Sequence, residues 1–369
     1  MPAEAILSEQ RSYDAIIVGG GVIGLCCAWR IAQKGASVVV IDKAQPPAGA
    51  TRVAAGMLAP VGELTFGEPE LLAMTLAAAE LYPDFVAELE AATGMQTGYA
   101  QQGALHVALD RDEGEELRRV HDLQRSLGLD AEWLPPRGCR ELEPGLTPSL
   151  NGGAHVPGEA AVDPRALCEA LLFALEAEGV EMRFGDGVTA AIFDGERLAG
   201  VRTGAGGELR AASVVLACGA WSGQAEWLPV DARPAVRPVK GQIAELRARE
   251  EPLPCERIVC SERVYLVPRA DGRLIVGATV EEQGFDTAVT AGGVHELLRE
   301  AYRLVPDVAE MELVEVTAGL RPGTPDNLPL IGSGGIEGLV WATGHYRNGI
   351  LLAPLTAERV AETLTGVTA

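Results

Sequence analysis

The stretch Asp14-Ala-Ile-Ile-Val18, followed by Gly19-Gly-Gly-Val-Ile-Gly24, decides the fold of this 369-residue chain. The first five residues form an apolar run typical of a buried parallel strand. The glycine turn leads into helical spacing over Val22–Lys34, and a second apolar run, Ser37–Ile41, ends at Asp42. Strand, glycine turn, helix, strand and acid make up the complete unit that binds a dinucleotide.

Each glycine of this turn has its own physical reason. Gly19 permits the tight turn, Gly21 lets the backbone approach a pyrophosphate, and Gly24 lets the helix pack closely on the strand. The positive end of the helix favours phosphate, and Asp42 can accept hydrogen bonds from a ribose. This unit does not distinguish NAD from FAD, so an NAD-dependent dehydrogenase stays open at this point.

The composition argues against several classes of partner. The chain has 30 basic and 52 acidic residues and a net charge of −22, which repels nucleic acid and gives no attraction to an anionic membrane. Residues 1–14 contain no apolar leader segment, and the longest uncharged apolar stretch, Ala15–Trp29, is shorter than the roughly 20 residues that span a bilayer. The seven scattered cysteines form no metal or disulfide pattern, so we expect reduced thiols, no metal site and a cytoplasmic location.

Helical and extended patterns alternate along the rest of the chain, so the nucleotide-type elements are expected to be interleaved with a second domain. The segment Gly49–Leu58 is small and glycine-rich, with no predicted regular structure; it suits either close approach to a flat, bulky group or a plain surface loop. The predicted helices are Glu70–Ala92, Arg111–Leu127, Asp163–Glu178, His295–Leu304 and Asn348–Leu364. The predicted strands are Gly103–Leu109, His155–Pro157, Val180–Phe184, Leu198–Thr203, Ser213–Ala217, Val236–Leu246, Val264–Arg269, Arg273–Thr279, Met311–Thr317 and Leu339–Thr343.

Two polar segments interrupt apolar surroundings. In Gly319–Ile331, Arg321 is expected on a rigid turn just past a strand, where it suits bidentate capture of a carboxylate or an internal ion pair. Gly344–Ile350 precedes the last helix, so it offers free N–H groups to a developing negative charge, or is a simple capped helix start. His345 is expected to be a structural hydrogen-bonding residue rather than a catalytic one.

Taken together, these segments resemble the D-amino-acid-oxidase superfamily of FAD enzymes, and within it the bacterial glycine oxidases of thiamine thiazole synthesis. The resemblance implies an α/β and α+β fold, in which a Rossmann-like FAD domain of the glutathione-reductase type is interleaved with a substrate domain built on an antiparallel sheet. The implied FAD domain is residues 1–92, 157–232 and 318–369, and the implied substrate domain is residues 93–156 and 233–317. The motifs that carry the resemblance are Gly19–Gly24 with Asp42, Ala54–Leu58, Glu141–Gly145, Val162–Arg165, Gly319–Asp326 and Gly344–Leu352.

The resemblance also implies a role for particular residues. Arg321 would bind the substrate carboxylate with help from the Tyr265 hydroxyl, and Arg347 would lie beside the flavin. FAD would be bound non-covalently, because Gly319 stands where some relatives carry the attaching cysteine. Arg263 departs from the family pattern and adds a cation near the pocket. The cofactor-binding set would be Gly19, Gly21, Val22, Ile23 and Gly24 at the pyrophosphate, Asp42 and Lys43 at the ribose, Val188 at the adenine, Ala50, Thr51, Ala55, Gly56 and Met57 along the flavin, and the backbone of His345, Tyr346, Arg347, Asn348, Gly349, Ile350 and Leu351 at its ring.

The implied reaction is the oxidation of glycine, sarcosine or D-alanine by hydride transfer from Cα to flavin N5. Water then hydrolyses the imino acid to an oxo acid and ammonia, and oxygen is reduced to hydrogen peroxide, with no side-chain acid or base required. The family suggests a homo-oligomer, a tetramer. The alternatives are a D-amino-acid dehydrogenase with another electron acceptor, a subunit of a hetero-oligomeric dehydrogenase, and an RNA-modifying flavoprotein, which the acidity of the chain and the lack of a methyltransferase segment in it disfavour.

Overall fold

The computed structural model describes residues 12–249 and 252–365 of the chain. The expectation about a leader segment falls on residues 1–11 and lies outside them. Eight helices are described: α1 (Val22–Gln33), α2 (Gly49–Val53), α3 (Pro69–Thr93), α4 (Arg111–Ser126), α5 (Pro136–Leu142), α6 (Pro164–Ala177), α7 (Ala291–Leu304) and α8 (Gly349–Thr365). The described strands are β1 (Ser12–Val18), β2 (Val38–Asp42), β3 (Met57–Leu58), β4 (Ala104–Ala108), β5 (Glu132–Leu134), β6 (Gly152–Val156), β7 (Ala160–Ala161), β8 (Glu181–Phe184), β9 (Val188–Asp194), β10 (Arg197–Thr203), β11 (Glu208–Leu216), β12 (Arg237–Arg247), β13 (Ile258–Cys260), β14 (Tyr265–Pro268), β15 (Arg273–Gly277), β16 (Glu312–Gly323), β17 (Leu330–Ser333) and β18 (Leu339–Thr343).

The first sheet contains the dinucleotide unit. Its strands run in the order β17-β18-β11-β1-β2-β8, and the hairpin β9–β10 extends it beside β11. β1 lies parallel to both β2 and β11, and its side chains are buried on both faces. Ala15 and Ile17 pack with helices α1, α3, α6 and α8, whereas Ile16 and Val18 pack on the opposite side with β10 and β11. This two-sided burial explains why the strand is apolar throughout instead of alternating.

The second sheet has eight strands in the order β16-β12-β15-β14-β13-β4-β6-β5. Every neighbouring pair is antiparallel except β13 and β4. Helices α5 and α7 contribute to the core on one face of this sheet, which leaves the other face for the cavity described below. The expected fold class, a Rossmann-like domain combined with an antiparallel substrate domain, is confirmed. No helix among the described residues has both the length and the apolar character needed to cross a bilayer.

The six helices and twelve strands expected from the sequence, those of the dinucleotide unit included, are all present, with ends that differ by up to six residues. Two other expectations, one about the glycine-rich segment Gly49–Leu58 and one about Arg321, are wrong. Gly49–Leu58 is partly regular, since it forms α2 and β3. Arg321 lies inside β16 and not on a turn beyond it, because β12 pairs with β16 along its whole length. β16 is at the edge of the sheet, where Pro322 can be accommodated without breaking a ladder.

The division into two domains stays a proposal, and β16 crosses the expected boundary at residue 318. Several short elements were not expected from the sequence at all. They are too short, or too rich in small and charged residues, to produce a recognisable periodic pattern. These elements are α5, β5, β7, β9, β13 and β17.

The contact between α1 and β1 depends on Gly24. A methyl group placed on Gly24 would lie 1.9 Å from the carbonyl oxygen of Gly19. This is a backbone atom, so it cannot move without displacing the chain. We expect Gly24→Ala to lower the free energy of unfolding by roughly 1–3 kcal/mol and to reduce cofactor content, as measured by thermal unfolding and the visible spectrum. Gly158→Ala is the matched control, since nothing lies within 4 Å of the added methyl. Equal stability of the two variants would contradict the packing role.

Candidate active site

A cavity of about 700 Å³ is lined by residues of both sheets. It brings together most of the residues that the sequence singled out, although they lie far apart in the chain. Gly24, Asn348 and Leu351 are the exceptions, since they do not line it. The expected residues that line it are Gly19, Gly21, Val22, Ile23, Asp42, Lys43, Ala50, Thr51, Ala55, Gly56, Met57, Val188, Tyr265, Gly319, Arg321, His345, Tyr346, Arg347, Gly349 and Ile350.

The glycine turn and Asp42 form one end of this cavity. Gly19 has a φ of 121°, and a methyl group on it would lie 2.3 Å from the Ala217 carbonyl oxygen, so only glycine fits. The Asp42 carboxylate accepts hydrogen bonds from the backbone N–H groups of Gly20 (2.6 Å) and Ala44 (2.8 Å). These bonds hold the carboxylate in place and leave further acceptor positions for a ligand hydroxyl.

The segment from α2 to β3 lines the middle of the cavity. The hydroxyl of Thr51 accepts a hydrogen bond from the N–H of Val22 (3.1 Å), which ties α2 to the start of α1. The buried Arg269 of the second sheet donates a hydrogen bond to the carbonyl oxygen of Ala55. Burial lowers the pKa of Arg269 to about 10, so the guanidinium is still charged at neutral pH. The segment between α2 and β3 is therefore held by a cation that directly follows β14 of the second sheet.

The loop before α8 supplies fewer free N–H groups than the sequence suggested. The N–H of Tyr346 donates to the carbonyl of Pro322 (3.0 Å), and that of Asn348 donates to the carbonyl of His345 (2.9 Å). The remaining N–H groups at the start of the helix belong to Gly349, Ile350 and Leu351, since Leu352 already bonds to Asn348. Tyr346 has a φ of 47°, a left-handed conformation that is unusual for a bulky residue and often marks a functional site.

His345 behaves as a structural residue. Its Nε2 lies 2.9 Å from the hydroxyl of Thr356, and the side chain is buried. Burial lowers the pKa of His345 to about 3. The imidazole is therefore neutral over the ordinary pH range, and it cannot exchange a proton in catalysis there.

The second sheet covers the cavity with one row of side chains. His106, Cys260, Tyr265, Gly277 and Ile243 are in register across five adjacent strands, from β4 to β12. Residues in register point to the same face of a sheet, and all five line the cavity. We call this row the roof. Desolvation raises the pKa of Tyr265 to about 12, so its hydroxyl stays protonated and is available as a hydrogen-bond donor.

Two glycines of the roof strands make room for Arg321 and Tyr265. A methyl group on Gly241 would lie 2.4 Å from Nη1 of Arg321, and one on Gly277 would lie 2.3 Å from the hydroxyl of Tyr265. Nη1 of Arg321 also donates hydrogen bonds to the carbonyls of Thr279 (3.1 Å) and Lys240 (3.3 Å). The guanidinium is therefore held in one position, with further N–H groups left for an anion.

Comparison with known proteins agrees with this geometry. Residues 14–363 match the family described as DAO, FAD dependent oxidoreductase. The chain belongs to this family. It is 38% identical over 351 residues, 95% of this chain, to the bifunctional protein ThiO/ThiG of Trichormus variabilis, and it spans about half (52%) of the length of that relative. It is 34% identical over 360 residues to the glycine oxidase of Geobacillus kaustophilus, covering 95% of this chain and 92% of the relative. The crystal structure of glycine oxidase from Geobacillus kaustophilus superimposes with a TM-score of 0.90 over 97% of this chain and 96% of that chain.

The residues of this FAD-dependent oxidoreductase fit the cofactor of its family. The pyrophosphate-type turn, the fixed Asp42 carboxylate and the first turn of α8 all border one continuous cavity. A methyl group on Gly319 would lie 3.0 Å from Cβ of Val53, so this position is tightly packed and carries no thiol. Two thiols, those of Cys218 and Cys260, do line the cavity, and burial raises the pKa of both, which keeps them protonated and poorly nucleophilic.

Sequence reasoning missed Glu63 and His106, which also line the cavity. Glu63 follows β3 in a segment without a periodic pattern, and His106 is a single histidine in a short strand. No motif marks either residue, so only the pairing of the strands and the path of the loop reveal them. Arg263, on the turn between β13 and β14, is exposed and lines the same cavity.

Proposed function

We propose that this FAD-dependent oxidoreductase is an amino-acid oxidase of the glycine oxidase type. It would oxidise glycine and small relatives such as sarcosine and D-alanine to the oxo acid, ammonia and hydrogen peroxide. The observation that carries the proposal is the position of Arg321 over Gly241 of β12 and of Tyr265 over Gly277 of β15. Both side chains border the cavity that also contains the dinucleotide turn. The names of the ThiO/ThiG and glycine oxidase relatives support the same reaction and a link to thiamine synthesis.

The residues of the chain position the substrate and exclude water. Arg321 would pair with the carboxylate in a charge-assisted, bidentate manner, and the Tyr265 hydroxyl would donate a second contact to the same group. Arg347 lies at the exposed side of the cavity; burial works against its charge, but Tyr346 and Glu63 outweigh this effect and raise its pKa. When bound, FAD would supply the redox chemistry, with the flavin as hydride acceptor and oxygen as the final electron acceptor. Arg321 and Tyr265 would hold the substrate so that its Cα–H is in a productive orientation.

A peroxide-coupled assay of the purified protein tests this function. Glycine, sarcosine, N-ethylglycine, D-alanine and D-proline would be compared, after a visible spectrum has been recorded. A flavin spectrum with peroxide from glycine or sarcosine supports the proposal and ranks the substrates. A flavin that bleaches without peroxide indicates a dehydrogenase, and a flavin that no amino acid bleaches contradicts the proposal.

We further propose that FAD is not covalently attached. We expect denaturation in acid, followed by centrifugation, to release the yellow colour into the supernatant, because Gly319 has no side chain to bond the flavin. Absorbance of the supernatant and the mass of the precipitated protein check this. A protein mass increased by one FAD would contradict it, and replacement of Cys218 and Cys260 by alanine would then identify the attachment.

Small-molecule substrate and oxygen are the partners that this proposal requires. The homo-oligomeric state, for which the family suggests a tetramer, and the cytoplasmic location remain predictions. Light scattering coupled to gel filtration measures the first, and cell fractionation measures the second.

A further inference from the structure

The cavity contains a carboxylate that the proposed reaction leaves without a role. Glu63 lies between β3 and α3, whereas Arg321 lies on β16 in the second sheet, and both residues line the cavity. Within the described part of the chain, no side-chain hydrogen bond or ion pair occupies the Glu63 carboxylate. Burial and the charges of neighbouring groups instead determine the pKa of this carboxyl group.

The backbone around Glu63 is held firmly. The N–H of Gly62 donates to the buried carboxylate of Glu159, and the N–H of Glu63 donates to the carbonyl of Ala59 (3.1 Å). A methyl group on Gly62 would lie 2.0 Å from Nε2 of His106, so the segment packs directly against the roof. Glu159 in turn lies 3.5 Å from the same nitrogen of His106. The position of Glu63 is therefore set by contacts on two sides.

The ionisable groups around Glu63 come from six elements. Burial raises the pKa of its carboxyl group, and the charge of Arg347 opposes this effect without cancelling it. A carboxyl group with a raised pKa is a better proton acceptor than an ordinary one at neutral pH. The groups that face it are Arg347 before α8, Glu159 before β7, His106 on β4, Arg321 on β16, Cys260 on β13 and Tyr265 on β14.

An amino acid that enters this cavity brings a proton that must be removed. The zwitterion carries an ammonium group, and its nitrogen has no free electron pair to support loss of hydride from Cα. Tyr265 stays protonated and His345 is neutral with a very low pKa, so neither can take the proton at neutral pH. With the carboxylate on Arg321, the ammonium group is the part of the substrate left to face an anion.

We propose that Glu63 binds the substrate ammonium group and accepts one proton from it before oxidation. The N–H bond breaks, its electron pair stays on nitrogen, and an O–H bond forms on the Glu63 carboxylate. The neutral amine then loses hydride to the cofactor, and Glu63 returns the proton to solvent when product leaves. The inference rests on the proposed function, and it replaces the expectation that no side chain acts as a base.

The pH dependence of kcat/KM for glycine tests this role with Glu63→Gln. In the wild type the profile should be bell-shaped: activity falls at low pH as Glu63 becomes protonated, and falls at high pH because the neutral amine lacks the ammonium group that the Glu63 carboxylate binds. In Glu63→Gln only substrate that is already neutral reacts, so kcat/KM should rise steadily with pH up to the pKa of the amine. We expect a loss of roughly 10- to 100-fold at neutral pH that shrinks as the pH rises.

Three further measurements separate this role from a structural one. Acetate, a carboxylate without an amine, should perturb the flavin spectrum of Glu63→Gln with a Kd no higher than that of the wild type, because the variant loses a negative charge near Arg321 and no donor to the carboxylate. Glu63→Asp keeps a carboxylate and should keep a bell-shaped profile even if its rate is lower. Glu196→Gln, which removes an exposed charge from the turn between β9 and β10, away from the cavity, should leave the profile unchanged.

The possible failures are distinguishable. Parallel pH profiles for the wild type and Glu63→Gln would overturn the role of Glu63, even with an active wild type. A bell-shaped profile lost equally in Glu63→Asp, together with weaker acetate binding, would also overturn it, since the residue would then shape the cavity and not accept a proton. A wild type that oxidises no amino acid contradicts the proposed function itself.

Discussion

Arg321→Ala is expected to raise KM for glycine and to lower kcat/KM roughly 10³-fold, which corresponds to about 4 kcal/mol. The guanidinium is held by the carbonyls of Lys240 and Thr279, so the wild-type enzyme meets the substrate carboxylate with a positioned, charged donor. Removing it leaves a negative group in a partly desolvated cavity without its partner. FAD should stay bound, because Arg321 is not among the residues expected to hold the dinucleotide. Steady-state kinetics and the visible spectrum measure both effects.

Two variants sharpen this test. Arg321→Lys keeps the charge but loses the planar pair of donors, so we expect an intermediate KM. Arg137→Ala removes an arginine that is 87% exposed and remote from the cavity, and it should leave KM as it is. If Arg321→Ala binds glycine as the wild type does, Arg321 is not the carboxylate site.

Gly241→Ala should reproduce much of the Arg321→Ala defect while leaving the arginine in place. The added methyl would lie within 2.6 Å of three guanidinium atoms, so the side chain has to move. A displacement of about 1 Å in a positioning group costs on the order of 10² in rate, and we expect a loss of roughly 10²-fold in kcat/KM. The measurement is kcat/KM for glycine, with FAD content checked by absorbance.

Gly292→Ala is the matched control for this variant. It places the same methyl near the start of α7, where nothing lies within 4 Å, and it should be close to neutral. Full activity in Gly241→Ala would mean that Arg321 has a second, equally productive position. If Gly241 acts through Arg321, the double variant Gly241→Ala/Arg321→Ala should lose little more kcat/KM than Arg321→Ala alone, because both changes act on one interaction.

The sequence by itself determined the dinucleotide unit, and the resemblance of its motifs to a known family implied the fold class. Local spacing is sufficient for the dinucleotide unit, since Gly19, Gly21, Gly24 and Asp42 act within one βαβ unit whose geometry follows from the backbone. The long helices were also predictable, because their apolar faces repeat over several turns. The local sequence marked Arg321 as either a carboxylate-binding residue or part of an internal ion pair. The resemblance to a known family favoured the first of these and added Tyr265, which no pattern of spacing identifies.

The tertiary structure decided how these residues meet. Arg321 was expected on a turn, and it lies in an edge strand because β12 pairs along its full length. The clearance that Gly241 and Gly277 provide, and the presence of Glu63 and His106 in the same cavity, depend on contacts between residues far apart in the chain. Such contacts produce no periodic pattern in the sequence, so they cannot be predicted from it. The dinucleotide turn could therefore be predicted from the sequence. The positions of the side chains that the second sheet places in the cavity depend on strand register and packing.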